Sequence, residues 1–366
     1  MSGVLIVGAG LAGARCAEAL RAGGYGGPVT IVGAEPVAPY ERPALSKELL
    51  AGRREADDLM LRPAGAWADR EIDLRLGEAV ERIDVRSRTA RVSGRELAWD
   101  ALVVATGAHA RVLPGTAIRG VHVLRTLADA LALREAIVPG SRLVIIGAGF
   151  VGAEVASTAL DLGADVTIVE SEPIPLARVV GAEVGLFLAH RWREYGVSLH
   201  LGARIDRFER GRVVLGTGEA LPHDTLLLAI GAEPTSGLLG GSGAIATDAC
   251  GRTEHPGIYA CGDVAAFAGR RVEHWTSASG QAAAVASAIL GSPEPFDETP
   301  YFWSDQFGLR LQMVGTATGR AHVELDGDPS SFHARYVGEA GETLGVLLAN
   351  RPGEVATARR ELASAA

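Results

Sequence analysis

Two glycine-rich turns have the residue types and spacing to hold phosphates. Gly8-Ala9-Gly10-Leu11-Ala12-Gly13 follows the apolar run Val4-Leu5-Ile6-Val7, and Gly147-Ala148-Gly149-Phe150-Val151-Gly152 follows Leu143-Val144-Ile145-Ile146. Each reads as a strand, a tight turn and a helix start. The first glycine makes the turn, the second lets a pyrophosphate approach the backbone, and the third lets helix and strand pack closely. The amides and dipole at the helix start then hold the phosphates. Glu170 ends the strand that follows the second turn, about 20 residues on, where a carboxylate accepts hydrogen bonds from a ribose 2′-hydroxyl and repels a 2′-phosphate. Ser171, Glu172 and Pro173 come next, with no arginine among them. This predicts NADH rather than NADPH. Glu35 is the matching candidate in the first copy, at a more ragged strand end. Taken without its turn, Glu170 also fits a solvated strand end. Two dinucleotide sites in one chain imply two cofactors exchanging electrons, the arrangement of a flavoprotein reductase.

The elements around the turns repeat as well. After the first turn come a helix and the strand Val29-Thr30-Ile31-Val32. Hairpin strands at Thr89–Val92 and Leu97–Trp99 then lead into Ala101–Ala105, which ends at Thr106-Gly107. After the second turn come a helix and the strand Asp165–Val169. Arg212–Leu215 and the strand Thr225–Ile230 follow, and the latter ends at Gly231. Each half reads as βαβ, then a hairpin, then a buried strand closed by a glycine. The expectation is an α/β fold with two Rossmann-like dinucleotide-binding domains, each a doubly wound parallel sheet. After Gly240 the pattern changes. Short strands at 245–248 and 257–260 and a small-residue helix from about Ser277 to Leu290 are predicted. Gly291-Ser292-Pro293-Glu294-Pro295 reads as a boundary. Beyond it, alternation in 309–314, 333–336 and 343–348 predicts an antiparallel sheet, and a helix over 352–363 closes a small α+β domain. The domains expected are 1–111 with 241–297, 112–240, and 298–366.

The bulk composition fits two or three domains. The chain has 366 residues, 48% hydrophobic and 22% charged, with 47 glycines and a formal net charge of −9. The acidic total argues against non-specific nucleic-acid binding but leaves room for a local basic patch. No apolar run reaches the length of a membrane span. The N-terminus enters a strand at once, which leaves no room for a signal peptide and makes the cytoplasm the expected location. Cys16, Cys250 and Cys261 form no close pair, so neither a redox dithiol nor a zinc site is written here. Cys16 reads as a small core residue.

Pro39-Tyr40-Glu41-Arg42-Pro43-Ala44-Leu45-Ser46-Lys47 resembles the P-Y-x-R-P-P-L-S-K signature of NADH-dependent ferredoxin reductases that serve oxygenases. Ala44 stands for the second proline. The resemblance implies FAD and NADH as cofactors, and that Arg42 and Lys47 approach the FAD. There a lysine offsets negative charge on a reduced ring. Ala105-Thr106-Gly107 is similar to the turn closing the family's FAD domain. Cys261-Gly262-Asp263 is similar to its second FAD motif, whose aspartate binds the ribityl chain. Glu273-His274-Trp275 resembles the segment whose tryptophan lies by the flavin or nicotinamide, though Trp275 alone also fits a core aromatic. Glu154 occupies the place of a family glutamate beside the nicotinamide, where a pair with Lys47 across the flavin is expected; it also fits a helix-surface glutamate. Phe302-Trp303-Ser304-Asp305-Gln306 resembles the strand near the flavin edge, and Trp303 fits either that edge or the domain core. The resemblance runs the full length in motif order.

It implies hydride transfer from NADH to FAD, then single electrons to a 2Fe-2S ferredoxin that feeds an oxygenase or cytochrome P450. Lys47, Glu154 and Trp275 are the residues implied at the reacting centre. The flavin supplies the redox chemistry, and the protein supplies positioning and charge compensation. The region Gly33 to Lys47 holds no cysteine, which disfavours a disulfide-reductase or single-cysteine oxidase mechanism. An acidic ferredoxin calls for a basic surface, with Arg53, Arg54, Arg62, Arg310 and Arg320 as candidates. Each of these also fits ordinary surface. Other acceptors stay open, namely rubredoxin, a quinone or monodehydroascorbate, as does a redox-responsive flavoprotein of the apoptosis-inducing-factor type.

Overall fold

The computed structural model describes residues 2–365. Its α-helices, in chain order, are α1 (Leu11–Ala22), α2 (Leu127–Ala136), α3 (Phe150–Asp161), α4 (Ala177–Glu194), α5 (Trp275–Ile289) and α6 (Val355–Ala365). The chain divides into two compact units. One holds the residues up to Glu41 with Leu59–His109 and Glu233–Glu298; the other holds Arg42–Asp58, Ala110–Ala232 and the residues from Thr299 on.

The first unit is built on a parallel sheet ordered Ile72–Leu76, Val29–Gly33, Gly3–Val7, Arg95–Val104, with Ile258–Ala260 beside the last. Val4, Leu5, Ile6 and Val7 are buried on both faces, as a parallel strand covered by helices requires. The strand order reverses beside Gly3–Val7, which leaves the crevice where α/β sheets bind ligands. Arg95–Val104 is one ten-residue strand, where the sequence predicted a hairpin strand and a separate buried strand. It also pairs antiparallel with Thr89–Val92, which pairs with Val80–Asp84. Val80–Asp84 carries exposed Glu81 and Arg82, so it offered no apolar pattern to read.

The second unit repeats this plan. Its parallel sheet runs Ser198–His200, Asp165–Val169, Arg142–Ile146, Thr225–Leu228, Val121–Val123. Its meander is Ile205–Glu209, Arg212–Leu215 and Ala220–Pro222. The repeat extends to single bonds. Gly8 N–H donates to the Val32 carbonyl and Gly147 N–H to the Val169 carbonyl, each at 2.8 Å.

The same unit contains a five-stranded antiparallel sheet ordered Tyr301–Gln306, Leu309–Gly315, Thr343–Ala349, Ser331–Val337, His322–Asp328. The first two strands join through Phe307 and Gly308, both at positive φ, as a two-residue hairpin of this hand needs. Val314, Val346, Leu348 and Ala358 form one core against α6. On the opposite face, Leu311, Met313, Tyr336 and Leu347 share a core with α3 and α4. The closing helix begins at Val355 rather than 352, because Pro352–Glu354 takes a 3-10 turn.

Candidate functional site

Each nucleotide turn separates its glycines by physical role. A β-carbon at Gly8 would lie 2.1 Å from the Ala105 carbonyl oxygen, and one at Gly13 would lie 2.0 Å from the Gly8 carbonyl oxygen. The equivalent distances are 2.4 Å from Gly147 to the Ala229 carbonyl and 2.3 Å from Gly152 to the Gly147 carbonyl. The chain's own packing therefore dictates these four glycines. Gly10 differs, because a β-carbon there meets nothing within 4 Å. Gly149 meets only the Ala229 carbonyl, at 4.0 Å. Space is kept open where a phosphate would approach. Gly10 and Gly149 are the N-caps of α1 and α3, neither of which has a side-chain cap or an acidic residue in its first turn. Both helix starts thus keep their dipole and amides for an anion, and the residues fit a dinucleotide pyrophosphate at each.

At the second turn, Glu170 Oε2 accepts a hydrogen bond from the Ala148 amide at 2.7 Å. Its Oε1 accepts from Ser171 Oγ at 3.0 Å and from Glu172 N–H at 2.9 Å. The carboxylate is held beside the glycine turn. The neighbouring Glu172 is ion-paired with Arg178 at the start of α4. Gly231 closes the strand that ends by this turn, at φ +93°, and its carbonyl accepts from Arg111 N–H at 3.0 Å. In the first unit, Glu35 accepts a 2.7 Å hydrogen bond from the Tyr40 hydroxyl.

The remaining predicted residues of the first unit sit in tied loops. Thr106 Oγ1 donates to the Thr235 carbonyl at 2.7 Å, and Thr235 N–H returns a 3.0 Å bond to the carbonyl of Gly107, whose φ is +66°. Gly262, φ +78°, donates its amide to Gln281 Oε1 at 2.8 Å. The next residue, Asp263, accepts at its carbonyl from Arg271 Nε at 2.7 Å. Gln281 is buried on α5 and thereby fixes the Gly262-Asp263 turn. Trp275 opens α5, with the Arg15 guanidinium 5.9 Å from its ring centroid. Cys16 and Cys261 are fully buried, and burial pushes both thiols up, Cys261 to about 12. They stay protonated and unreactive at neutral pH.

A buried polar cluster lies within the second unit. Lys47 Nζ is 2.7 Å from Glu154 Oε2, and the two side chains are only 9% and 7% exposed. Glu154 lies on the buried face of α3 rather than toward solvent. Lys47 also donates to the Pro43 carbonyl at 3.0 Å, and Ser46 Oγ donates to Glu154 Oε2 at 2.5 Å. One turn along α3, Thr158 Oγ1 donates to the Ser46 carbonyl at 2.9 Å, so positions i and i+4 hold the Ser46-Lys47 turn between them. Arg42 Nη1 donates to the Arg125 carbonyl at 2.5 Å. Ala44, in the place of the second proline, is buried, and its carbonyl accepts from the amides of Lys47 and Leu49. Of the 35 basic residues, 34 are arginine, and Lys47 is the one lysine in the sequence. A compact ammonium fits this pocket, whereas a planar guanidinium has a different shape and donor fan. That count is itself a signal in the sequence.

The chain and its fold have known counterparts. A family model described as pyridine nucleotide-disulphide oxidoreductase matches residues 2–282, and one described as reductase C-terminal matches residues 301–366. A ferredoxin–NAD(P)(+) reductase of Sphingomonas sp is 38% identical over 95% of this chain and 89% of its own length. The chain belongs to the pyridine nucleotide-disulphide oxidoreductase family, among its ferredoxin reductases. The ferredoxin–NAD(+) reductase component of the biphenyl dioxygenase system of Paraburkholderia xenovorans (strain LB400) is 38% identical over 90% of this chain and 84% of its own. The crystal structure of the covalent putidaredoxin reductase–putidaredoxin complex matches with a TM-score of 0.95 and 33% identity, covering 100% of this chain and 93% of that one. As a member, the chain is an oxidoreductase whose family uses FAD and NAD(H).

On the strand Tyr301–Gln306, side chains alternate. Trp303 lies on one face with Tyr301, their ring centroids 6.2 Å apart. Phe302, Ser304 and Gln306 lie on the other, where Phe302 meets Phe150 of α3 at 4.9 Å. Trp303 is half-buried. Of the five candidate arginines, Arg53 and Arg310 are exposed. Arg62 is engaged with Glu18 at 2.5 Å, Arg54 is hydrogen-bonded to the Asp58 carbonyl, and Arg320 donates to the Ala317 carbonyl at 2.8 Å. Among the described residues, no helix is long and apolar enough to cross a membrane.

Proposed function

We propose that this protein is an FAD-dependent NADH:ferredoxin oxidoreductase that passes electrons to a 2Fe-2S ferredoxin, and through it to an oxygenase or cytochrome P450. The observation that carries the reading is the pair of nucleotide turns, each with space kept at its second glycine, in a chain whose relatives along nearly their whole length are ferredoxin reductases. FAD is assigned to 1–111 with 241–297, NADH to 112–240, and 298–366 to a C-terminal domain. A cytoplasmic location belongs to the same reading.

Gly8, Gly10 and Gly13 with the α1 amides would hold the FAD pyrophosphate, and Glu35, Thr106, Gly107, Gly262 and Asp263 are the residues that would line the rest of that cofactor. Gly147, Gly149 and Gly152 would hold the NADH pyrophosphate, and the fixed carboxylate of Glu170 its ribose. A bound flavin supplies the hydride acceptance and the division of an electron pair into single electrons. The Lys47 ammonium, held in place by Glu154, would stabilise negative charge developing at the reacting centre. Trp275 would supply a flat apolar wall, and Trp303 an aromatic edge. Arg42 tethers its own loop to the Arg125 carbonyl.

The test is steady-state NADH oxidation coupled to cytochrome c, with and without a 2Fe-2S ferredoxin. Turnover that depends on the ferredoxin supports the reading. Equal turnover without it moves the function to another acceptor, such as rubredoxin or a quinone.

A further inference from the structure

Glu154 is held from a direction that the Lys47 pair does not explain. Its second oxygen, Oε1, accepts a 2.7 Å hydrogen bond from Ser304 Oγ. Ser304 Oγ in turn accepts from Gln306 Nε2 at 3.0 Å, and Gln306 Oε1 accepts from Trp192 Nε1 at 3.0 Å. All four side chains are buried. The polarity of this chain is set by its far end. An indole nitrogen only donates, so the Gln306 amide must turn its oxygen to Trp192 and its nitrogen to Ser304. Ser304 then has its oxygen engaged and its one hydrogen directed at Glu154, a carboxylate that only accepts. Trp192 belongs to α4, Gln306 and Ser304 to the first strand of the C-terminal sheet, and Glu154 to α3.

We propose that Ser304, with its hydrogen aimed by Gln306 and Trp192, is a positioning residue for the reaction. It fixes the plane of the Glu154 carboxylate and so the place of the Lys47 ammonium. The C-terminal sheet thereby completes the Lys47–Glu154 pair. This rests on the role given above to that pair. Donors from two sides, Ser46 with Lys47 on Oε2 and Ser304 on Oε1, hold the carboxylate against rotation, and small misplacements at a reacting centre are expensive in rate.

The experiment uses the flavin-loaded protein and the flavin-free protein in parallel, with Ser304→Ala, Gln306→Met, Ser304→Thr, Glu154→Gln and the Glu154→Gln/Ser304→Ala double variant. In the loaded protein, Ser304→Ala lowers the limiting rate of flavin reduction about tenfold, with NADH affinity unchanged within about twofold. Gln306→Met lowers it less, and Ser304→Thr, which keeps the hydroxyl, restores it. The double variant is no slower than Glu154→Gln alone, because both act through one carboxylate. In the flavin-free protein, acylation by a succinimidyl ester reports on Lys47 alone among side chains. Its rate rises several-fold in Ser304→Ala, at a temperature well below melting. An unchanged limiting rate or unchanged labelling in Ser304→Ala overturns the proposal, as does a double variant whose losses multiply. If Glu154→Gln itself leaves reduction unaffected, the role of the Lys47–Glu154 pair fails first.

Discussion

The carboxylate of Glu170 is hydrogen-bonded to the amide of Ala148 at 2.7 Å, so the end of one strand and the glycine turn of another are joined at the nucleotide site. In the proposed reading, the acidic side chain is oriented before a ribose arrives. Its replacement by alanine removes both an acceptor for the ribose hydroxyls and the repulsion of a 2′-phosphate. We expect Glu170→Ala to weaken NADH binding about tenfold, equivalent to about 1.4 kcal/mol. NADPH binding should change little or improve. Flavin bleaching titrations with each nucleotide measure both.

The three glycines of the first turn should respond differently to alanine. Gly8→Ala and Gly13→Ala drive a β-carbon into backbone carbonyls, and Gly8 has φ +120° besides. Both should cost about 3 kcal/mol or more and fail to accumulate as folded protein. Gly10→Ala fills open space. It should melt as the wild type does when flavin-free, yet retain little FAD. Thermal unfolding and the protein-to-flavin absorbance ratio separate the two classes.

Removing one partner of a buried ion pair strands the other. Lys47→Met should therefore lower the stability of the flavin-free protein by about 3 kcal/mol. Lys47→Arg keeps the charge but not the shape, and should recover stability only in part and reduction by NADH hardly at all. Urea unfolding and stopped-flow absorbance give the two readouts.

Much of this site could be read from the sequence because glycine turns and the Pro39–Lys47 segment are local signals. Gly8, Gly147 and Glu170 are placed by short spacings along one strand–turn–helix unit. The partners of Glu154 could not be read that way. Ser46 is 108 residues from it and Ser304 is 150 residues away, so only the tertiary fold brings them to one carboxylate. The strand Val80–Asp84 escaped for another reason: its exposed residues dilute the alternation on which a strand reading depends. Alternation does sort Phe302, Ser304 and Gln306 onto one face of their strand, but it gives no sign of which helix that face meets.

Acid should weaken the fold through buried His223 and half-buried His274. Burial holds His274 down at about 4, against an ordinary 6.5, with Asp263 opposing the shift, and burial lowers His223 as well. The unfolded chain takes up these protons first, so stability is whole above pH 6.5 and falls as the pH drops toward 4. For His274 the loss approaches about 3 kcal/mol. His274→Asn should flatten that acid limb in urea titrations from pH 4.5 to 7.

Arg310 is exposed and only loosely paired, 3.9 Å from Asp305. If the acidic ferredoxin docks on this face, Arg310→Glu slows ferredoxin reduction several-fold and steepens its dependence on salt, while NADH oxidation by ferricyanide is unchanged. Equal slowing of both would place Arg310 in the hydride step instead.

The most direct measurement is anaerobic stopped-flow reduction of the yellow protein by NADH and by NADPH, followed by mixing with an oxidised 2Fe-2S ferredoxin. We expect fast bleaching by NADH, slow bleaching by NADPH, and rapid return of flavin colour as the ferredoxin is reduced. Fast bleaching with no transfer to any 2Fe-2S ferredoxin would contradict the assigned acceptor, and a purified protein without flavin would contradict the account at its base.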